Sequence, residues 1–134
     1  LNSLDELAAA TDGIVVIRSH GVPENVYRLL EEKHIRYADA TCPFVRKIHK
    51  LVEKHSREGR RIVIVGNDHH PEVEGIKGWS LTEPVVIGSA EEAKNLQIPE
   101  TEPICVVSQT TFNYNKFKDI VEICKIIYYD KYIK

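Results

Sequence analysis

The sequence predicts an α/β fold, a three-layer αβα lobe built on a mostly parallel sheet of four to five strands. Short Val- and Ile-rich runs recur along the chain: GIVVIR, RRIVIVG, PVVIG and PICVVS. Helical segments alternate with them, and that alternation means parallel strands joined by crossover helices and covered on both faces. The connections are expected to be right-handed.

The opening LNSLDELAAATDG reads as an amphipathic helical turn. GIVVIR (13–18) is a strand, PENVYRLLEEKH (23–34) a helix and IRYADA (35–40) a second strand. PFVRKIHKLVEKHSREG (43–59) is a helix closed by Gly59. RRIVIVG (60–66) is the third strand and PEVEGIKGW (71–79) a short helix; PVVIG (84–88) is a strand and SAEEAKNL (89–96) another short helix. QIPETEP (97–103) is a loop, PICVVS (103–108) the fifth strand, and NYNKFKDIVEICKII (113–127) the last helix. No repeat, low-complexity stretch or linker divides the chain, so residues 1–134 read as one domain with its core at about 13–127.

Composition narrows the function classes. The chain has 134 residues, 43% of them hydrophobic and 28% charged, with a net charge of -2 and signs interspersed. That excludes disorder as the starting point, and it excludes the basic stripe that nucleic acid or an anionic membrane surface would require. No apolar run approaches the roughly 20 residues that span a bilayer. Three cysteines are an odd number without a pairing motif, which points to a reducing compartment, the cytoplasm. The chain contains no methionine, so Leu1 is not a translational start and a fragment of something longer is expected. The tail IIYYDKYIK, apolar and aromatic to its end, fits the same expectation.

In open parallel sheets, ligands bind beyond the carboxyl ends of the strands. Four of the five predicted strand ends carry polar or ligating groups: Ser19-His20-Gly21, Thr41-Cys42-Pro43, Asn67 through Glu72, and Ser108-Gln109-Thr110-Thr111. The fourth strand offers only Ser89, a helix cap. Proline favours the first helical position, so Cys42 before Pro43 and His70 before Pro71 become N-caps. A helix N-terminus presents free N–H groups and partial positive charge, which suits a thiolate or a bound anion.

The other cysteines read differently. Cys105 lies inside the strand ICVV, and Cys124 shares an apolar stripe with Ile120, Ile123 and Ile127, so both are expected to pack in the core. His34, His49 and His55 fall in or at the end of charged helices and are expected to be solvated. A zinc site from Cys42, His69 or His70, and Glu72 matches neither a HExxH helix nor a Cys-x-x-Cys knuckle. A stand-alone phosphate-binding module using His20, His70 and the helix N-termini is a further reading.

Taken together and in this order, SHGVP, DATCPFV, HPEVEG and SQTT resemble the middle domain of the 4-hydroxy-3-methylbut-2-enyl diphosphate reductase (IspH/LytB) family. The resemblance runs from about residue 13 to Ile127. It implies an oxidoreductase of the non-mevalonate isoprenoid route, three-lobed, with a 4Fe-4S cluster held by one cysteine per lobe. The reaction it implies is reductive dehydroxylation of the diphosphate substrate to isopentenyl and dimethylallyl diphosphate, fed by an electron donor such as ferredoxin or flavodoxin.

Position by position, the resemblance makes Cys42 the cluster ligand. It makes His20 a diphosphate ligand, and places His70 near the substrate's hydroxyl and diphosphate. Glu72 becomes the proton-relay acid, because a departing hydroxide needs protonation. Thr110 bonds or relays to that hydroxyl, with Thr111 beside it on the substrate. The remaining cluster cysteines belong to flanking lobes that this chain lacks, so the segment alone is expected to be inactive and to expose an apolar edge where those lobes dock.

Overall fold

Six helices and five strands alternate along the residues that the computed structural model describes, 3–99 and 101–127. They are α1 (Leu4–Ala8), β1 (Val15–Ile17), α2 (Glu24–Glu32), β2 (Tyr37–Asp39), α3 (Pro43–Arg57), β3 (Arg61–Val65), α4 (Pro71–Lys77), β4 (Val85–Ile87), α5 (Ala90–Lys94), β5 (Ile104–Ser108) and α6 (Tyr114–Ile127). Every predicted element is present. The tail reading falls, from residue 128 on, outside the described residues, as does the side chain of Ile127.

Local chemistry sets the boundaries. α3 ends as its glycine predicts: Gly59 takes φ 87° and donates to Ser56 O, while Arg60 N–H reaches back to His55 O, closing the last turn. α2 ends in the same way without a glycine. His34 takes φ 53°, and Ile35 N–H bonds Leu30 O. The pairing of both N–H groups offsets the strain of a left-handed histidine.

All strand pairings are parallel, but they form two sheets where one of four to five strands is expected. β1 pairs with β2 alone, Ile17 opposite Asp39. The second sheet has the order β4-β3-β5, with Ile87 and Ser108 both opposite Val65. Each sheet has its own core. Leu7, Ile17 and Leu30 form the core beside β1, with Val15, Val22 and Ile35 packed against it. β3 and β5 send Val63, Val65, Ile104 and Val106 against α5 and α6, and Ile62, Ile64, Cys105 and Val107 against α3 and α4. The three-layer arrangement therefore belongs to β3–β5. At β1 and β2 coverage on both faces does not hold: Ile14 and Val16 are exposed, and so are all three residues of β2.

This topology positions the site. From β3 the chain steps to β4 on one side, then crosses to β5 on the other, so β3 and β5 flank a switch point where loops diverge and leave a crevice. The loops that follow Val65 and Ser108 start at the same level.

Candidate functional site

The DATC loop is organised by its aspartate. Asp39, the last residue of β2, accepts hydrogen bonds from Thr41 N–H (3.0 Å), the Thr41 hydroxyl (2.5 Å) and the Tyr27 hydroxyl (2.7 Å), and Arg46 lies 3.4 Å away. Burial pushes its carboxyl up, but the hydrogen bonds from Thr41 and Tyr27 and the Arg46 charge outweigh that and hold it below its ordinary value. Thr41 is thereby buried, and Cys42 follows as the N-cap of α3, its N–H bonded to Ser19 O at 2.9 Å. The free thiol of Cys42 is half-buried, and no side chain caps the N–H groups of the first turn. Asp39 is not among the functional residues expected from the sequence; its signal there is the Asp-x-Thr spacing of an Asx turn.

The loop after β3 carries the second group. Asn67 Oδ1 accepts from His69 N–H and leaves His69 exposed, while His70 turns inward as the N-cap of α4. Its Nδ1 accepts from Glu72 N–H at 3.1 Å, so in this arrangement the ring's other nitrogen is the one left to donate. Glu72 is 4% exposed. Its Oε1 accepts the N–H of Thr110 (2.7 Å) and its Oε2 the hydroxyl of the same threonine (2.9 Å). A buried carboxyl with both oxygens bonded to one residue is held in a fixed orientation.

His20 joins this group electrostatically. Burial lowers its pKa, Arg18 and His70 act in the same direction, and Glu72 opposes them. The SHG turn also packs against α4. A Cβ at Gly75 would stand 3.5 Å from the Gly21 carbonyl group. Cys42, His20, His70, Glu72 and Thr110 thus lie on loops and first helical turns that touch one another.

Thr111 faces elsewhere. Its hydroxyl accepts from Gln109 Nε2 at 2.9 Å, and it lines an open groove of about 570 Å³ with Asn67, Asp68, Asn113 and Lys116. Gln109 is buried and spans the switch point, its Oε1 accepting Asn67 N–H at 3.0 Å. Only glycine at position 66 leaves that amide room, since a Cβ would meet Gln109 Oε1 at 2.8 Å.

Two expectations about histidines change. His49 is not solvated. It is 3% exposed, stacked on Trp79, and burial lowers its pKa to about 4. His55 is half-buried against Glu58, and His34 alone is exposed as expected. Cys105 and Cys124 pack in the core, where burial raises both thiols to about 11.

The profile of the LytB protein family matches residues 2–131. The chain belongs to that family. Among curated LytB-family relatives, the chain is 44% identical over 111 residues to the 4-hydroxy-3-methylbut-2-enyl diphosphate reductase of Caldanaerobacter subterraneus subsp. tengcongensis, covering 83% of this chain and 38% of that one. It is 41% identical over 117 residues to the enzyme of the same name from Alkaliphilus oremlandii, covering 87% and 41%. A solved (E)-4-hydroxy-3-methyl-but-2-enyl diphosphate reductase, the terminal enzyme of the non-mevalonate pathway, superposes with a TM-score of 0.76 at 35% identity over 90% of this chain and 43% of its own. The Plasmodium falciparum reductase shares the fold, with a TM-score of 0.86 at 24% identity over 99% of this chain and 42% of its own. This LytB-family chain spans about two fifths of the length of the curated relatives it matches.

In this LytB-family chain Cys42 is the cysteine that the described residues leave outside the core, so it could offer a single sulfur to a metal centre. Among the described residues no group of three or more His, Cys, Asp or Glu side chains converges. Glu72 and His70 Nδ1 are committed to Thr110 and to Glu72 N–H. Among the described residues, no helix is long and apolar enough to cross a membrane.

Proposed function

We propose that this chain is a segment of a cytoplasmic 4-hydroxy-3-methylbut-2-enyl diphosphate reductase, corresponding to the middle lobe of a three-lobed enzyme. Its share of the site is one cluster ligand, the proton relay and part of the diphosphate pocket. The observation that carries this reading is the double hydrogen bond between Glu72 and Thr110, placed at the β3–β5 switch point beside the His70 cap. Four loops of the kind a diphosphate reductase needs lie on strand ends that pack together in this fold.

Cys42 would be one thiolate ligand of a 4Fe-4S cluster, which when bound supplies the electrons for removal of the allylic hydroxyl. The chain's own residues do the rest. His20 and His70 offer donors to the diphosphate, whereas the Thr111 hydroxyl, held by Gln109, is left out of this group. A proton loaded on Glu72 Oε2 is donated across the 2.9 Å contact to Thr110 Oγ1, which frees the threonine O–H to protonate the departing oxygen. The Thr110 N–H on Oε1 keeps the carboxyl oriented during that exchange. The electron donor is a small carrier such as ferredoxin or flavodoxin. Because the described residues bring one cysteine to the site, the isolated 134-residue segment is inactive.

The test is product formation by the full-length protein containing this segment, supplied with the substrate and a one-electron chemical reductant, together with its iron and acid-labile sulfide content. Isopentenyl and dimethylallyl diphosphate are the expected products, and Cys42→Ser is expected to lose the iron. A fully iron-loaded wild type that forms neither product overturns the reading.

A further inference from the structure

His49 stands where three parts of the site meet. It lies two turns along α3 from the Cys42 cap, and its ring stacks on Trp79 with centroids 5.2 Å apart and planes at 18°. The ring also lies against Gly21, which takes φ 77°. A Cβ there would meet His49 Cε1 at 2.7 Å, so ring and backbone are already in direct contact. The indole N–H of Trp79 donates to Val22 O at 3.0 Å. At the end of α4, a Cβ on Gly78 would collide with Pro23.

The turn that carries His20 is therefore held at two points, by an imidazole from the helix that Cys42 caps and by an indole that follows the helix His70 caps. His49 Nε2 is buried and makes no hydrogen bond among the described residues, so the ring acts here through its shape. Nothing in the relay of Glu72 and Thr110 uses it.

We propose that His49, backed by Trp79, is a positioning residue that sets the Ser19–Val22 turn, and with it His20, against the Cys42 and His70 helices. The inference rests on the reading of His20 as a diphosphate ligand. Because His20 would touch only the non-reacting end of the substrate, its displacement weakens binding in ground and transition states alike. The signature is a raised KM with kcat held.

Two measurements test it. In the 134-residue chain, hydrogen exchange is followed at Gly21 N–H, bonded to Arg18 O, and at the Trp79 indole N–H, with Thr110 N–H on Glu72 as the internal reference. His49→Ala is expected to speed the first two by about tenfold or more and leave Thr110 unchanged, while His49→Phe restores protection. Trp79→Phe, which keeps a ring but loses the N–H, is expected to loosen Gly21 as well. In the full-length protein, His49→Ala is expected to raise KM about tenfold with kcat within about twofold and iron content unchanged, and His49→Phe to recover it.

Exchange that accelerates at Thr110 as much as at Gly21 shows a merely structural role and overturns the proposal. Unchanged exchange at Gly21 in both His49→Ala and Trp79→Phe overturns it too, as does a loosened turn with unchanged KM. If the wild-type full-length protein fails to turn over the diphosphate, the reductase reading falls, and the exchange pattern still decides whether His49 sets the turn.

Discussion

Glu72 and Thr110, 38 residues apart in sequence, are joined at two points, the carboxylate accepting both the amide and the hydroxyl of the threonine. The first turn of α4 is thereby fixed to the loop after β5. Glu72→Gln keeps an oxygen for the Thr110 N–H and gains a donor for its hydroxyl, so stability is expected to change by less than about 1 kcal/mol. The rate of the full-length enzyme is expected to fall by a factor of about 100 or more, since an amide carries no transferable proton. Thr110→Ala strands a buried carboxylate oxygen and is expected to cost about 1–3 kcal/mol in urea unfolding. Glu72→Gln retaining half the wild-type rate would remove the relay.

His49 makes folding stability depend on pH. Its folded pKa is about 4 against 6.5 unfolded, so between those values the unfolded chain binds more protons and stability rises with pH. Acidifying from pH 6.5 to 4 is expected to remove about 3 kcal/mol through this group. His20 is shifted in the same direction, so the slope is reduced in His49→Phe but not abolished. Denaturant unfolding of wild type and His49→Phe at a series of pH values reads the difference; parallel curves would show that His49 is not the buried neutral ring described here.

Asp39 has the opposite charge type and a different window. Its folded pKa is depressed, so its contribution is present above the ordinary carboxylate range and is lost as pH falls through the folded value. Asp39→Asn is expected to be less stable than wild type at neutral pH, with the gap narrowing below about pH 4. In the full-length protein it is also expected to lower iron retention, because Thr41 and hence the Cys42 cap lose their anchor. Unaltered iron content in a folded Asp39→Asn protein would detach Asp39 from the cysteine.

The elements were legible because local chemistry marks them. Pro43 and Pro71 announce helix starts, Gly59 announces an end, and the Val/Ile runs announce strands; each signal acts within a few residues. The burial of His49 was written in the same period. Val45, His49, Val52 and Ser56 recur at helical spacing on the buried face of α3, and it is the polarity of the histidine, between Lys47 and Lys50, that hides it.

By itself the sequence determined the α/β class, the order of elements, the strand ends that carry Cys42, His20, His70, Glu72 and Thr110, and the core roles of Cys105 and Cys124. Tertiary structure alone decided that the strands divide into two sheets, that Glu72 spends both oxygens on Thr110 while Thr111 turns to Gln109, and that His49 sits under Gly21. Periodicity reports how one segment meets water. Which distant donor a buried carboxylate finds, or which ring fills the space beside a glycine, depends on segments tens of residues apart brought together by packing.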